Sequence, residues 1–183
     1  TNSTVRIDWP KRFIICKGIA KGLKYLHERN PQIIHRNIKA NNILLDASCN
    51  PKISDFGLAK LYEEEDPHVA VRAGGDLVCN PENQDSEIVS GRNNAEYREK
   101  EETVVILDTA ANLRARGTLG DLVDSRLRHY DLDQTNIVLK LAMNCTDQSP
   151  SLRPPMSQVV AVLEGEKTLE DISEETAPSI SPA

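Results

Sequence analysis

The sequence predicts an α+β fold in which helices predominate. Apolar residues recur at helical spacing over about residues 10–29, and helical spacing returns between residues 101 and 165. Between these two zones, short apolar runs alternate with polar turns, a pattern typical of short strands. The chain has 183 residues, which is enough for one domain with a core of its own.

The first helix is predicted from about Pro10 to Arg29. Asp8 can cap its first turn, and Pro10 is tolerated there because the first N–H groups of a helix have no partner within it. Its apolar face consists of Ile15, Ile19, Leu23 and Leu26. Asn30-Pro31 ends the helix, since proline and the residue before it do not continue helical geometry.

Short strands or extended segments are predicted in the middle of the chain, at Ile33-Ile34, Ile43–Leu45 and Lys52–Ser54. From Leu58 to Asn94 the sequence is irregular and polar. This stretch includes the acidic run Glu63–Asp66, which we expect to form a solvated loop.

A second helical zone is predicted to begin near Glu101 and to end at Gly117. Its apolar face would consist of Val104, Leu107, Ala111 and Ala115. The apolar residues that follow indicate a short helix and a turn: Leu119, Leu122, Val123 and Leu127.

Two more helices are predicted after residue 130. Asp131 and Gln134 resemble a capping box at the start of the first. Its apolar face would consist of Ile137, Val138, Leu141, Ala142 and Cys145. The last helix is predicted to start at Pro154-Pro155 and to close at Gly165, with Val159, Val160 and Leu163 as its apolar stripe.

Charge and composition exclude several classes of protein. The net charge of −6 and the pI near 5.3 argue against nucleic acid as a partner. No apolar run approaches the ~20 residues of a membrane span, so we expect no direct membrane insertion. The four cysteines lack metal-ligand spacing and are expected to be reduced thiols in a cytosolic setting: Cys16, Cys49, Cys79 and Cys145. The N-terminus has no signal-peptide character and no initiator Met, so we expect the sequence to be part of something longer.

Two short segments carry the residues that point to a chemistry. Residues 35–45 read His-Arg-Asn-Ile-Lys-Ala-Asn-Asn-Ile-Leu-Leu, and residues 52–57 read Lys-Ile-Ser-Asp-Phe-Gly. Taken alone, an Asp-Phe-Gly tripeptide is usually a turn and a single lysine is usually a solvated charge. In this order and at this spacing, on two extended segments, the set is highly specific.

The two segments and their surroundings resemble the C-terminal lobe of a plant leucine-rich-repeat receptor-like serine/threonine protein kinase. Further similar stretches are Asp8–Pro10, Gly18–Leu23, Tyr25–His27, Ile53–Leu61, Glu87–Gly91, Leu122–Asp124, Arg153–Met156 and Val159-Val160. The resemblance covers about residues 5–165 and implies a two-lobed kinase fold, ATP with Mg²⁺, and protein Ser/Thr as acceptor. Residues 1–165 would be an incomplete protein kinase domain, and residues 166–183 an acidic, Ser- and Pro-containing tail that is expected to be disordered.

The resemblance also assigns the residues that would handle ATP and Mg²⁺. Asp55 would hold Mg²⁺ that bridges the phosphates, and Asn42 would hold a second metal ion through its side-chain oxygen. Lys39 would reach the phosphate that is transferred. Gly57 lets the backbone turn sharply.

Position 37 departs from the kinase pattern. His35 and Arg36 match it and would give structure to the catalytic loop, but Asn37 stands where the family has its catalytic Asp. A carboxylate can accept the proton of a substrate hydroxyl, whereas a neutral amide cannot, and general-base assistance is typically worth ~10²–10⁴-fold. We therefore predict a catalytically impaired chain in which binding of ATP and Mg²⁺ is weak or absent.

Other parts of the kinase pattern are missing from the sequence. No Gly-rich loop and no strand Lys lie before residue 35, so the N-terminal lobe is expected to be absent. In the activation segment, Ala73–Gly75 and Asn80–Glu82 replace Ala-Gly-Thr and Ala-Pro-Glu, and no Ser, Thr or Tyr lies between Tyr62 and Ser86. After Glu82 the chain passes almost directly to Glu87–Gly91, so most of the central helix of the lobe is expected to be missing. The region 61–98 should be the least ordered.

The family also implies an ion pair between the end of the activation segment and the start of the last helix. Glu82 and Arg153 stand at those positions, and we expect a mostly buried salt bridge between them. The alternative is two separate surface charges.

Three functional alternatives remain open from the sequence. The first is a catalytically impaired kinase-family chain that binds another kinase or a receptor cytoplasmic domain. The second is an active Ser/Thr kinase whose N-terminal lobe is not included in the sequence, and the third is a product that does not fold stably. In each case the resemblance implies a cytoplasmic location for this chain, with the parent family at the plasma membrane and its kinase domain facing the cytosol.

Overall fold

The computed structural model describes residues 7–62, 106–147 and 149–176. Its elements in chain order are α1 (Trp9–His27), β1 (Gln32–Ile34), β2 (Ile43–Leu45), β3 (Pro51–Ile53), β4 (Lys60–Tyr62), α2 (Ile106–Ala115), α3 (Leu132–Cys145), α4 (Met156–Glu164) and α5 (Leu169–Thr176). Single 3₁₀ turns lie at Ala40–Asn42, Phe56–Leu58, Leu119–Leu122 and Pro150–Leu152. The predicted α+β class, mainly α, is confirmed.

The long helix α1 begins and ends close to the predicted positions. The Asp8 side chain caps it by accepting the backbone N–H of Lys11 at 3.3 Å. The helix ends at His27, two residues before the predicted Arg29. All four predicted face residues are buried, and α1 packs against α4 and β3.

The four strands form two separate antiparallel pairs, which position the two motif segments, residues 35–45 and 52–57. β2 pairs with β3 in the register Ile43↔Ile53, and this hairpin was predicted as two extended segments. β1 pairs with β4 in the register Ile33↔Leu61. The prediction that the irregular region begins at Leu58 was therefore wrong for β4, because three residues are too few to show a strand period and their partner lies far away in sequence.

The core consists mainly of residues from α1, α3 and α4, with smaller contributions from α2 and α5. In α2 the predicted apolar face was wrong by one position. Ala110 is 1% exposed and Leu113 packs against the core, whereas Ala111 and Ala115 are exposed. Alanine carries little hydrophobic signal, so the sequence could not distinguish between neighbouring faces.

Helix α5 lies where the sequence analysis predicted a disordered tail. The Thr168 N–H donates to Asp171 Oδ2 at 2.7 Å, and the Asp171 N–H donates to Thr168 Oγ1 at 3.2 Å, which makes a reciprocal cap. Ile172 is 1% exposed and belongs to the core cluster. Ile172, the partly buried Leu169 and this cap together order the helix on the rest of the domain. Residues 177–183 lie outside the described residues.

A buried carboxylate ties the start of α1 to the segment after the third 3₁₀ turn. Asp124 Oδ2 accepts from Arg12 Nη2 at 2.7 Å, and Asp124 Oδ1 accepts from Arg126 Nε at 2.8 Å. These two guanidinium partners hold the pKa of Asp124 far below its usual range, against the opposing effect of burial. The cluster joins residues that are 112 positions apart in sequence.

Candidate functional site

The two motif segments meet at one end of the β2–β3 hairpin. Residues 35–39 follow β1, the 3₁₀ turn Ala40–Asn42 leads into β2, and Ser54-Asp55 follows β3 directly. Because β2 and β3 are antiparallel and Ile43 pairs with Ile53, the residues just before β2 lie beside those just after β3. This places Asn42 next to Ser54 and brings the two loops together.

His35 is buried between the two loops. Its Nδ1 atom accepts the backbone N–H of Asn37 at 3.3 Å, so the proton is assigned to Nε2, which donates to the Ser54 carbonyl at 2.9 Å. The ring also meets Phe56 edge-on, with 4.7 Å between ring centroids. Both ring nitrogens are engaged within the protein, so this histidine holds the loops together.

Asn42 is the most buried of the candidate metal ligands, with 6% exposure. Its Nδ2 group donates to the Asn37 carbonyl at 2.8 Å, and its own carbonyl accepts the Ser54 N–H at 2.8 Å and the Ser54 hydroxyl at 2.9 Å. The orientation of the side chain is therefore fixed by its amide nitrogen. This leaves Oδ1 as the atom that can meet a ligand.

Asp55 is exposed and has left-handed backbone angles, with φ 65° and ψ 67°. Asp tolerates this region better than most residues, because its short side chain can form local hydrogen bonds. Arg36 shares the left-handed geometry, at φ 64°, and its Nε donates to the Leu58 carbonyl at 2.6 Å. That bond connects the first loop to the 3₁₀ turn that follows Asp55.

Asn37 contacts the candidate metal-binding carboxylate directly. Its Nδ2 group donates to Asp55 Oδ2 at 3.3 Å. No residue pattern in the sequence predicted this bond, because the kinase resemblance places a carboxylate at position 37. Two carboxylates cannot form such a bond unless one of them is protonated.

Lys39 is half-buried at the start of the 3₁₀ turn, and its carbonyl accepts the Asn42 N–H at 2.9 Å. Its ammonium group forms no ion pair with any residue in the described ranges.

The donor atoms of the site suit a hard cation. Asn42 and Asp55 offer an amide oxygen and a carboxylate, and Mg²⁺ is commonly held by one or two such oxygens together with substrate phosphates. Among the residues described, no group of three or more His, Cys, Asp or Glu could hold a metal by itself. The residues present therefore fit Mg²⁺ that is shared with a phosphate ligand better than a protein-only metal centre.

Several predicted features lie outside the described residues. They include the activation-segment substitutions at 73–75 and 80–82, the missing central helix, and Glu82. Arg153 is described, and it is half-buried with Nε donating to the Asp147 carbonyl at 2.7 Å. The Glu82–Arg153 ion pair remains a prediction.

Comparison with known proteins supports the resemblance seen in the sequence. Residues 7–83 match the protein kinase domain. A probable LRR receptor-like serine/threonine-protein kinase of Arabidopsis thaliana is 43% identical over 98% of this chain, and a second is 38% identical over 93%. Cold-responsive protein kinase 1 of the same plant is 43% identical over 93% of the chain. The chain spans 19% and 18% of the two receptor-like relatives and 49% of the third. In the described ranges, no helix is long and apolar enough to cross a membrane.

Proposed function

Because this chain is related to the receptor-like serine/threonine protein kinases and carries part of a protein kinase domain, we propose that it is a catalytically impaired member of that family. It keeps the residues that meet Mg²⁺ and phosphate, but it lacks the group that would accept the proton of a substrate hydroxyl. We also propose that binding of ATP with Mg²⁺ is weak, because only Asn42, Asp55 and Lys39 among the described residues are placed to meet the metal and the phosphates.

The observation that carries this proposal is the hydrogen bonding of the Asn37 side-chain amide. An amide oxygen is a very weak base, and the amide nitrogen already donates to the Asp55 carboxylate at 3.3 Å. Asp55 itself is the candidate metal ligand. Asp55 is the one carboxylate among the described residues that forms a hydrogen bond with Asn37.

The site keeps side chains that would meet a metal ion and a phosphate group. Asn42 Oδ1 and the Asp55 carboxylate would hold Mg²⁺, whose charge offsets that of the phosphates when it is bound. Lys39 would add a point charge near the same phosphates. These residues position and neutralise a nucleotide, but they do not activate an acceptor hydroxyl.

A phosphoryl-transfer assay tests the proposal. The purified 183-residue chain is incubated with radiolabelled ATP, MgCl₂ and a generic Ser/Thr protein substrate, beside an Asp55→Ala control. We expect no transfer above this control, because loss of the base alone removes ~10²–10⁴-fold in rate. Turnover clearly above the Asp55→Ala chain would overturn the proposal and favour an active kinase.

The weak nucleotide site is tested separately by thermal melting. At millimolar ATP with MgCl₂ we expect no measurable rise in melting temperature, since a ligand must exceed its Kd to stabilise the folded state. A clear rise that depends on Mg²⁺, and that disappears in Asp55→Ala, would show that the site binds nucleotide well.

A second candidate function is a binding module for another kinase or a receptor cytoplasmic domain. The observation that favours it is apolar exposure beside the site: Leu58 is 53% exposed and Leu61 is 66% exposed. Sedimentation with a purified receptor-like kinase domain tests this candidate. Leu58→Asp with Leu61→Asp should abolish a complex, while Leu132→Asp, at a position that is 61% exposed on α3, should leave it intact. Absence of any complex with the unaltered chain would reject this candidate.

We also propose a cytosolic location for the chain. No disulfide joins the three cysteines in the described ranges, Cys16, Cys49 and Cys145, which suits a reducing compartment. Fluorescence from a tagged chain confined to a secretory compartment would contradict this location.

A further inference from the structure

We infer that Asn37 is a positioning residue, whose amide holds the Asp55 carboxylate and closes the two loops in the absence of a cation. The inference rests on the proposed function, in which position 37 does not serve as a base. It adds a role for the amide that the loss of a base alone does not require.

The backbone of Asn37 is anchored on both sides. Its N–H donates to His35 Nδ1 at 3.3 Å, and its carbonyl accepts from Asn42 Nδ2 at 2.8 Å. The side chain therefore leaves a fixed backbone and reaches Asp55 on the other loop. Little conformational freedom remains to be lost when the amide meets the carboxylate.

The amide is also the donor that Asp55 depends on in the described part of the chain. No other side chain there donates to the Asp55 carboxylate, and none forms an ion pair with it. Lys52 and Lys60 are the cationic residues nearest to Asp55 in sequence, and neither forms an ion pair with it in the described ranges. On the other loop, Arg36 Nε donates to the Leu58 carbonyl, and the Lys39 ammonium pairs with no described residue. Asn37 thus satisfies a carboxylate that would otherwise depend on water or on a cation.

A carboxylate at position 37 would reverse this arrangement. Its oxygens could only accept, so two negative groups would face each other where one hydrogen bond now lies, and the like charges would destabilise the closed loops. Two carboxylates at these positions would also bind a divalent cation more strongly, because the affinity of a site for such a cation rises with the number of charged oxygen ligands. Asparagine at position 37 therefore holds the two loops together without a cation, but it lowers the affinity of the site for a cation.

Melting experiments on the full 183-residue chain test the inference. In EDTA we expect Asn37→Asp to melt on the order of 5 °C below the unaltered chain, and millimolar MgCl₂ to restore most of that loss. The unaltered chain should melt at the same temperature in both buffers. The matched control is Asn41→Asp, which adds the same charge at an exposed position one residue before Asn42 and should change melting by no more than about 1 °C in either buffer.

Direct cation binding gives a second readout. We expect Mn²⁺, followed by electron paramagnetic resonance, to bind Asn37→Asp about tenfold or more tightly than the unaltered chain. Asn37→Ala removes the bond without adding charge, so it should melt somewhat below the unaltered chain in EDTA and should gain no Mn²⁺ affinity.

A third measurement covers the case in which Asn37→Asp does not fold. In the unaltered chain, the side-chain amide resonances of Asn37 should shift when Asp55 is replaced by asparagine, while those of Asn41 stay in place. Unmoved Asn37 resonances would overturn the inference.

The inference and the proposed function fail in different experiments. Equal melting of Asn37→Asp and Asn41→Asp in EDTA would overturn the inference while transfer activity remained absent. Transfer by the unaltered chain would overturn the proposed function, whatever the melting curves show.

Discussion

Replacing Asp124 with asparagine should weaken the whole domain, because this carboxylate joins two segments that are far apart in sequence. The Asp124 side chain is 3% exposed, and the Arg12 side chain with which it pairs is 12% exposed. The substitution keeps the shape of the side chain but removes its charge. It therefore leaves the Arg12 guanidinium partly buried and opposite a neutral amide.

The expected cost is worked out from the four contacts of the Asp124 carboxylate. The Arg126 guanidinium makes two of them, at 2.8 and 2.9 Å, and the Arg126 backbone N–H makes a third at 3.0 Å. The Arg126 side chain is 71% exposed, so its charge is well solvated without Asp124 and contributes little. Arg12 makes the fourth at 2.7 Å in a buried position, where its guanidinium would lose this carboxylate while its Nε still donates to the Ile7 carbonyl at 3.0 Å. We expect a loss of about 3 kcal/mol, which is a large part of the ~5–15 kcal/mol that stabilises a typical domain.

Urea denaturation followed by tryptophan fluorescence measures this loss. Trp9 is the single tryptophan of the chain, is 2% exposed, and lies near Arg12 at the start of α1, so its emission reports on unfolding of this region. With a urea slope of about 2 kcal/mol/M, the midpoint should fall by about 1.5 M.

The difference should depend on pH in one direction. Because the folded-state pKa of Asp124 lies below the unfolded value, the stabilisation is fully present above about pH 4 and is lost as the pH falls further. The exposed Asp121→Asn is the matched control and should change stability by less than about 0.5 kcal/mol. If Asp124→Asn and Asp121→Asn unfold at the same urea concentration, or if Arg126→Ala costs more than Arg12→Ala, the reasoning is refuted.

Two further predictions concern α1. Gly18→Ala should destabilise the domain by about 1–3 kcal/mol, because an added Cβ would clash with the Pro51 ring. Gly120→Ala has open space around its added Cβ and should be tolerated, so equal urea midpoints for the two variants would contradict the packing argument. Burial lowers the pKa of His27 from 6.5 to about 4, so the folded state favours the neutral ring, and stability should fall by up to about 3 kcal/mol as the pH drops from 6.5 towards 4. His27→Gln should not show this loss of stability between pH 6.5 and 4. If the stability of His27→Gln and of the unaltered chain depends on pH in the same way, His27 is not its cause.

The sequence predicted those elements whose signals are local. The caps at Asp8 and Asp131 act on N–H groups three residues away, and both accept the predicted bonds. Gly165 ends α4 with a left-handed φ of 78°, as a glycine after an apolar helix indicates. Such signals act within one or two turns of chain, so these elements can be predicted from the sequence alone.

The candidate site was predicted in part. The order and spacing of the two motif segments indicated the family, which the protein kinase match over residues 7–83 supports. The residue at position 37 also predicted an impaired base. The new partner of Asn37 was not predicted, because the amide finds Asp55 only after β2 and β3 have paired.

What remained undetermined by the sequence depends on neighbours that are distant along the chain. β4 exists because β1 lies beside it, and Ile172 orders α5 because a core formed by earlier helices receives it. The Trp9 indole N–H donates to Gln134 Oε1 across 125 positions, at 3.0 Å, where a capping box alone would have turned Gln134 towards its own helix end. Capping and periodicity act within a few residues and can be predicted from the sequence, whereas pairing, docking and burial depend on which surfaces meet, and only the tertiary structure decides that.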